Sequence, residues 1–515
     1  MPRLHQIIFT LGLLVALTEA RSDEATPRVW SGLGPERFAA MVESFNAMED
    51  EPVVNLVPNA EAWRWLETRV PRFECADPEV ERVYWFRWWA LRKHLRHDPA
   101  TGRKVFSEFI TRPRPVSSAL GHHLMEGRWL KDQAPYDDYV LYWLRGKEGG
   151  RQDHLHRYSQ WLAYALWQRW QVTRDTAGWL ALVDDLVADY RAWETERGRA
   201  DGLFWQHDVW DAMEESISGG RKVKHVRPTL SVYMYGNALA LARLAAKAGR
   251  PEVAKEFQDK ADHLRSRIQA VLWDEQLGFF GSVTETLERI PVREAIGFIP
   301  WYFGLPEPGR GYERAWAQAI DTAGFRATYG LTTAERRHPR FRSHGTGTCE
   351  WDGAVWPFAT SQTLTAWGRV LRDYPASAVT SSDYFDAFLT YTRSHRYDGR
   401  LYLGEYQDET TGAWLKGPDP RSRWYNHSTY ADLLIEGVVG LRPREDDTLE
   451  VFPLLPAGTW PWFCLDGASY RGRSVSILWD KDGKKYGLGP GLQVWVDGRR
   501  VARSDRLERL LIPLP

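Results

Sequence analysis

The stretch from Phe204 to Gly219 concentrates side chains that can carry out acid–base chemistry. It combines carboxylates, an imidazole and indoles, namely Trp205, His207, Asp208, Trp210, Asp211, Glu214 and Glu215. An exposed helix face would be less aromatic, and a core helix would be less acidic. Carboxylates among indoles suit a sugar cleft, where aromatic faces stack on the ring and a partly dry pocket raises the pKa of an acid. An acidic loop that caps a helix is the alternative.

A second acidic and aromatic stretch runs from Tyr402 to Trp414. Its acidic residues are Glu405, Asp408 and Glu409, and Tyr406 lies among them. By itself this stretch also fits a polar turn. Together the two stretches supply two carboxylates from separate loops, which is what glycoside hydrolysis requires. Glu405 is therefore the candidate partner for an acid in the first stretch.

Two further segments carry candidate substrate-binding residues. Trp351, Asp352 and Trp356 precede a predicted helix and can bind hydroxyl groups and stack on a ring. A capping loop with core indoles is the alternative for this segment. His122 and Glu126 lie one helical turn apart, but no third ligand is near, so we predict no metal site. We expect His122 and its neighbour His123 to form hydrogen bonds beside the substrate instead.

Helices must position most of these loops. Asp77-Pro78-Glu79 has the residues of a helix start, and Gly249-Arg250-Pro251 ends one helix and begins another. The periodicity predicts ten to twelve helices up to about residue 440, a number that fits helical hairpins closed into a toroid. Past Pro443 the residues alternate as in strands, with Asp482-Gly483 and Asp497-Gly498 as hairpin turns.

Composition excludes several classes of protein. The 515 residues carry a net charge of −1, which argues against nucleic acid or an anionic membrane as the main partner. The 27 tryptophans suggest a large ring-binding groove, although many must be core. The three cysteines are too widely spaced for a disulfide framework or a structural zinc.

The first 20 residues read as a signal peptide. A short basic start precedes an apolar run from Ile7 to Leu17, and Thr18-Glu19-Ala20 fits a cleavage site. An N-terminal membrane anchor is the alternative, but the apolar run is too short to span a bilayer. We therefore expect an exported protein, periplasmic or secreted, that does not contact the membrane after cleavage.

Three short motifs resemble a known group of enzymes. Trp351-Asp-Gly-Ala-Val-Trp-Pro is similar to the Trp-x-Gly-Pro-x-Trp signature of inverting α-glycosidases with (α/α)6 toroids. That group includes trehalase, glycoside hydrolase family 63 and mannosylglycerate hydrolase. Val209-Trp210-Asp211-Ala212 resembles the segment of the general acid, and Glu405, seven residues before Gly412, has the spacing of the general base. The resemblance therefore implies Asp211 as the acid and Glu405 as the base.

The chain also departs from the family pattern. Val209 replaces a glycine, Ala354 replaces a proline, and the residues after Asp211 differ from those of the family. These departures leave Asp208 and Glu214 as rival acids.

The resulting prediction is a mainly α protein, a six-hairpin toroid followed by a small antiparallel β module. The predicted parts are a signal peptide (1–20), a catalytic domain (21–442) and the β module (443–515). We predict an exo-acting, inverting glycosidase for α-linked O-glycosidic bonds, with a carbohydrate substrate and no cofactor or metal. The predicted substrate-binding residues are His122, His123, Trp205, Trp210, Trp351, Asp352, Trp356, Tyr406 and Trp414.

Two alternatives belong to other classes. A polysaccharide lyase or sugar epimerase on the same toroid would use His122, His123 or His207 as proton carriers. A non-catalytic carbohydrate-binding protein would retain the aromatic groove alone. The sugar, the linkage and the oligomeric state do not follow from the sequence.

Overall fold

The architecture comes from a computed structural model that describes residues 29–345, 348–374, 378–417 and 419–514. The predicted signal peptide, residues 1–20, lies outside the described residues. The first part of the described chain is rich in helices, and the last part is an antiparallel β module. Among the described residues, no helix combines the length and the apolar character needed to cross a membrane.

Helices dominate the chain up to residue 393. In the described residues they are α1 (Glu36–Asn46), α2 (Ala62–Arg69), α3 (Pro78–Arg92), α4 (Leu120–Gly127), α5 (Ala134–Arg145), α6 (Leu162–Thr173), α7 (Thr176–Leu180), α8 (Val183–Arg197), α9 (Leu230–Lys247), α10 (Pro251–Leu272), α11 (Ile299–Tyr302), α12 (Ala317–Ile320), α13 (Pro357–Asp373) and α14 (Ser381–Arg393). A π-helical segment, Leu433–Val439, follows near the start of the β module. Short 3-10 turns link several of these elements, including Asp208–Trp210.

The start of α3 follows the predicted signals. The Asp77 side chain accepts hydrogen bonds from the backbone N–H groups of Glu79 and Val80, and Pro78 occupies the first turn. Nearly every residue from Val80 onward is buried, so α3 is an interior helix rather than an amphipathic surface helix. Its indoles are core residues, which accounts for part of the high tryptophan count.

The pair α9 and α10 shows how the helices are layered. Most of α9 is buried, whereas α10 buries only a stripe that includes Phe257, Ala261, Leu264 and Ile268. This spacing of three and four residues is that of a helix with one face toward the core. Gly249 joins the two helices with φ +69°, a conformation that glycine adopts without strain. An inner and an outer helix are therefore packed as a hairpin.

Most strands outside the β module are short. In the described residues the strands are β1 (Arg72–Cys75), β2 (Leu95–His97), β3 (Lys104–Phe106), β4 (Gln206–His207), β5 (Lys224–Val226), β6 (Trp273–Asp274), β7 (Phe279–Phe280), β8 (Val283–Thr284), β9 (Arg326–Ala327), β10 (Gly330–Leu331), β11 (Arg396–Tyr397), β12 (Arg400–Leu401), β13 (Leu441–Arg442), β14 (Thr448–Val451), β15 (Trp462–Tyr470), β16 (Arg473–Asp480), β17 (Gly491–Val496), β18 (Arg499–Ser504) and β19 (Leu510–Pro513). Two-residue strands of this kind clamp loops rather than form a core sheet.

The C-terminal module contains a five-stranded sheet in the order β1-β15-β16-β17-β18 and a three-stranded sheet in the order β13-β14-β19. All of the pairings are antiparallel, as predicted. Asp497 and Gly498 form the predicted two-residue turn, with φ +50° and +78°. Asp482-Gly483 instead lies within a longer loop between β16 and β17. The edge strand β1 comes from the helical part, a pairing that the sequence pattern does not predict.

Candidate active site

One cavity collects residues from six separate segments of the chain. It has a volume of about 440 Å³, within the usual range for small-molecule sites. The residues that line it are Glu108, Phe109, Arg112, Pro113, Arg114, Pro115, Val116, Ser117, Ser118, His154, Arg157, Tyr158, Ala212, Glu214, Cys349, Trp351, Trp356, Phe358, Glu405, Arg421, Tyr425 and His427. The 204–219 stretch and the 402–414 stretch, both acidic and aromatic, contribute to the lining of this cavity.

Three carboxyl groups share the cavity wall. Burial, followed by the charge of Glu405, raises the pKa of Glu214 to about 7. Burial and the charges of Glu405 and Glu214 likewise raise the pKa of Glu108 to about 8, against the opposing effect of Arg421. The charge effects among these groups agree with their place on one cavity wall. The site therefore contains carboxyl groups that are at least partly protonated near neutral pH.

Glu214 is carried by a tightly fixed loop. Fully buried Asp208 holds the loop, since its carboxylate contacts His225 Nδ1 and Arg227 Nη1, each at 2.9 Å. Ala212 has φ +58°, which is uncommon for a residue with a side chain and marks a sharp change in chain direction. Within the described residues, Glu214 Oε2 is buried without a hydrogen-bond partner. One oxygen of this carboxyl group is therefore available to a bound ligand.

Glu405 lies in a different environment. Lys416 Nζ contacts Glu405 Oε2 at 3.0 Å, and only 3% of the Glu405 side chain is exposed. Ser422 Oγ donates to the same oxygen at 3.4 Å, and Tyr425 OH donates to Oε1 at 3.5 Å. A buried carboxylate with an ammonium partner and hydroxyl donors is stabilised in its charged form. Glu405 therefore has the environment of a base.

Cys349 completes this corner of the cavity. Its Sγ lies 3.6 Å from Glu405 Oε1 and 3.6 Å from Lys416 Nζ. Burial, together with the charges of Glu214 and Glu405, raises the pKa of the Cys349 thiol well above its ordinary value. A neutral thiol in this position donates a weak hydrogen bond to the base and does not act as a nucleophile.

Asp211, the acid that the family pattern implies, does not line this cavity. Its carboxylate accepts hydrogen bonds from Ser159 Oγ at 2.6 Å and from the Thr229 hydroxyl. It borders a small separate void of about 10 Å³, which shares Trp351 and Phe358 with the main cavity. The reason is local: the chain turns at Ala212, so Asp211 points into the protein while Glu214 lines the cavity.

The tryptophans of the 349–358 segment form an aromatic wall. Trp351 and Trp356 both line the cavity and stack on each other with ring centroids 4.3 Å apart. Trp356 also stacks on Tyr406 at 4.5 Å, so Tyr406 supports the wall from behind rather than lining it. Within the described residues, the buried Trp351 Nε1 has no hydrogen-bond partner. An indole N–H on a cavity wall suits a sugar hydroxyl.

The remaining predicted binding residues lie away from the cavity. Asp352 pairs with Arg342 at 2.6 Å, and Trp414 donates to the backbone oxygen of Arg396 at 2.8 Å. Trp205 and Trp210 both pack against the Arg197 guanidinium. These side chains therefore fix the loops that surround the site. Their residue types alone did not distinguish this role from substrate binding.

His122 and His123 also do not line the cavity and lie behind its aromatic wall. His123 contacts Tyr139 OH at 3.1 Å and the backbone oxygen of Asn426 at 2.7 Å. His122 packs against Trp161 and Phe358. The Glu126 carboxylate accepts backbone N–H groups at the start of the segment that follows Thr429, so it does not face His122. Among the described residues, no group of three or more potential ligands is arranged to hold a metal ion.

His427 was not singled out by the sequence, where it is visible only as part of an Asn-x-Ser sequon. It lines the cavity, packs against Tyr425 at 4.1 Å between ring centroids, and is only 2% exposed. Burial and the charges of His122 and Arg87 hold the pKa of His427 well below its usual value. In the described residues, neither ring nitrogen makes a well-formed hydrogen bond, although the backbone of Glu405 lies nearby.

We expect His427→Ala to raise KM about 5-fold with a smaller effect on kcat. The neutral ring can donate and accept, and losing one neutral hydrogen bond to substrate costs about 1 kcal/mol. Steady-state kinetics would measure the change. His207→Ala is the matched control, because His207 bonds to the backbone of Lys222 and lies off the cavity. Equal effects of the two substitutions would contradict a substrate contact at His427.

Two family models match this chain. The model of the mannosylglycerate hydrolase MGH1-like glycoside hydrolase domain matches residues 112–428. The C-terminal domain of glycosyl hydrolase family 65 matches residues 441–503. The first match covers more than half of the chain and includes Glu214, Glu405 and His427.

Solved structures share the fold. A structure named a sialidase is 45% identical with a TM-score of 0.91, covering 93% of this chain and 45% of its own. This chain therefore spans less than half of that relative. The family 63 mannosylglycerate hydrolase from Thermus thermophilus is 17% identical with a TM-score of 0.52, covering 68% of this chain and 98% of its own. The family 78 rhamnosidase of Bacillus sp. GL1 is 13% identical with a TM-score of 0.58. The match covers 83% of this chain and 41% of the rhamnosidase.

The resemblance stated from the sequence motifs is thereby confirmed at the level of the family. Most of the cavity lining, including Glu214, Glu405 and the indole wall, lies within the matched range. The chain belongs to the mannosylglycerate hydrolase MGH1-like family of glycoside hydrolases.

Proposed function

We propose that this protein is an exported glycosidase in which Glu214 is the general acid and Glu405 the general base. The observation that carries the proposal is the contrast between these two groups on one cavity. The pKa of Glu214 is raised to about 7, whereas Glu405 is paired with Lys416 at 3.0 Å. Two carboxyl groups whose environments favour opposite protonation states supply the acid and the base of glycoside hydrolysis.

The reaction follows from these roles. Protonated Glu214 gives its proton to the glycosidic oxygen as the bond to the anomeric carbon breaks. Glu405 takes a proton from a water molecule, whose oxygen forms the new bond to the anomeric carbon from the opposite face. The products are a hemiacetal sugar and an alcohol, and proton exchange with solvent restores both carboxyl groups. This is the inverting course, and the resemblance to inverting α-glycosidases supports it and an α linkage.

The proposal extends to architecture and location. Inner and outer helices such as α9 and α10, together with likeness to family 63 structures, support an (α/α)6 toroid. The cavity of about 440 Å³ supports exo action on a chain end. The apolar run within residues 1–20 supports export to the periplasm or medium.

Lyase or epimerase chemistry has less support. The proton carriers first considered for it, His122, His123 and His207, do not line the cavity. The histidines that do line it are His154 and His427, and the pKa of each is lowered, chiefly by burial. Product with new ultraviolet absorbance, or substrate turnover without hydrolysis, would favour these alternatives over the proposal.

Sialidase activity is the second candidate, because the relative of that name is 45% identical over 93% of this chain. The ionised carboxylate that the mechanism requires at Glu405 opposes it, since this group would repel a carboxylate on the reacting sugar. Release of sialic acid from sialyllactose tests this candidate directly. We expect no release, and a neutral reacting sugar.

Proton NMR of the first product tests the mechanism. We expect the anomer opposite to that of the substrate to form first, before mutarotation. Retention of configuration would contradict a water activated by Glu405 and would indicate a covalent intermediate.

The pH dependence provides a further prediction. We expect kcat/KM to fall as the pH rises through about 7, because Glu214 must be protonated and its pKa is about 7. The alkaline limb should remain in Glu108→Gln, since Glu108 is not assigned a proton-transfer role. If the alkaline limb of the kcat/KM profile disappears in Glu108→Gln, the general acid is Glu108 rather than Glu214.

A further inference from the structure

Four arginines line the cavity together with its three carboxyl groups. They are Arg112, Arg114, Arg157 and Arg421. Arg112, Arg114 and Arg157 are exposed, while Glu108 and Glu405 are buried. The positive charges therefore surround the mouth, and the acidic groups lie deeper.

None of these four arginines forms an ion pair within the part of the chain that the structure describes. By contrast, the buried Arg128 and Arg227 are paired with carboxylates. The Nε atom of Arg421 is buried and lacks a hydrogen-bond partner among the described residues. A buried guanidinium N–H without an acceptor is costly unless a ligand supplies one.

Two of the guanidinium groups are held over a single ring. The central carbon of Arg421 lies 4.7 Å from the Phe109 ring centroid, and that of Arg112 lies 5.2 Å from it. Such cation–π contacts stabilise each guanidinium group beside the ring. No carboxylate pairs with either arginine in the described residues, so both remain able to bind an anion.

The backbone that carries two of these arginines is stiff. The segment reads Thr111-Arg-Pro-Arg-Pro115, so a proline follows each arginine. Proline fixes its own φ and restricts the residue before it to extended conformations. Arg112 and Arg114 therefore lose little backbone entropy when they bind a ligand, which favours affinity.

We propose that the mouth of the cavity is a subsite for an anionic saccharide on the leaving-group side of the cleaved bond. The reacting sugar is neutral and lies among Glu108, Glu214 and Glu405, where the ionised Glu405 would repel an anion. The next residue of the glycan carries a uronate carboxylate or a sulfate ester, which the arginines bind with paired N–H donors. This inference deepens the proposed function and rests on it for the position of the cleaved bond.

A binding experiment tests the subsite without relying on turnover. Calorimetry would compare a disaccharide of a neutral non-reducing sugar linked to galacturonic acid with its carboxyl-reduced counterpart, on the Glu405→Gln protein in which hydrolysis is suppressed. We expect the acid form to bind at least about 10-fold more tightly, with an affinity that falls as salt increases. The carboxyl-reduced disaccharide with a sulfate ester on its reducing sugar serves as the second probe, and tighter binding of that probe assigns the subsite to sulfate esters.

Charge variants identify the residues. The triple substitution Arg112→Gln, Arg114→Gln and Arg157→Gln should reduce binding of the preferred acidic probe about 10- to 100-fold, with little change for the neutral probe. A matched triple substitution at Arg64, Arg400 and Arg499 changes the net charge equally at exposed positions away from the cavity. It should leave binding within about 2-fold, because distant surface charges are screened.

Three outcomes would overturn the inference: no binding of either acidic probe, equal binding of acidic and neutral probes, or equal effects of the two triple variants. Failure of the proposed function looks different. If acidic probes bind as expected but no glycan is hydrolysed by the unmodified protein, the anionic subsite stands and the glycosidase mechanism does not.

Discussion

Replacing Glu214 with glutamine is expected to lower kcat on a natural glycoside by about 10²- to 10⁴-fold, the usual range for loss of a general acid. The amide keeps the size of the side chain but has no acidic proton to give. Because burial and Glu405 raise the pKa of this carboxyl group to about 7, the substitution removes little buried charge below that pH. Folding should therefore be little affected, and the loss should lie in the chemical step.

The leaving group supplies the decisive measurement. A substrate with an acidic phenol as its leaving group needs little protonation, so Glu214→Gln should lose much less activity on that substrate than on a natural glycoside. An equal loss on both substrates would contradict the role of acid. This comparison separates proton donation from a general disturbance of the cavity.

Asp211→Asn is the matched control for this assignment. Asp211 accepts hydrogen bonds from Ser159 and Thr229 away from the main cavity, so its substitution should cost about 1 to 3 kcal/mol of stability. We expect kcat to remain within about 10-fold of the unmodified enzyme. If Asp211→Asn instead shows the large loss and the dependence on leaving group, the acid is the one that the family pattern implies.

The comparison of Asp211 and Glu214 shows how far the sequence could lead. Its composition drew attention to the 204–219 stretch, of which the structure brings Ala212 and Glu214 to the cavity. It could not identify which carboxylate lines the cavity. That depends on the left-handed turn at Ala212, with φ +58°, and on the clamp that Asp208 forms with Arg227. Backbone conformation at a non-glycine residue leaves little trace in a single sequence.

Glu405 could be predicted from the sequence for a different reason. It lies in a short loop whose polar turn and flanking aromatic residues match the family spacing, and the structure brings it to the cavity. The helices and the β module followed from periodicity, which reflects burial of one face of each element. Glu108, His427 and the arginines of residues 112–157 could not be found in this way. They come from irregular segments, and only the tertiary fold brings them together.

Cavity electrostatics connect these separate parts. Lys416 compensates for the charge of Glu405, while Glu214 and Glu108 have no comparable ion pair among the described residues. One ammonium beside three carboxyl groups stabilises one ionised carboxylate and leaves the others more easily protonated. The same arrangement therefore sets the base and the acid, and Lys416 acts through Glu405 as a positioning residue.

Glu405→Gln is expected to reduce kcat by about 10²- to 10⁴-fold on all substrates, including those with an acidic phenol as leaving group. The base acts on the attacking water, so a better leaving group does not compensate for its loss. This pattern is the opposite of that expected for Glu214→Gln. Glutamine also leaves Lys416 without its charged partner, so thermal unfolding must be measured beside the kinetics.

Lys416→Met removes the positive charge beside the proposed base, an ammonium that lies 3.0 Å from the Glu405 carboxylate, and leaves Glu405 itself unchanged. Because a buried charge without its ion partner is costly, we expect a lower temperature of unfolding and a loss of kcat on all substrates, as for Glu405→Gln but smaller. Lys416→Arg, which keeps the positive charge, is the matched control and should lose less activity. Equal kcat values for Lys416→Met and the unmodified enzyme would contradict a role for Lys416 in positioning the base.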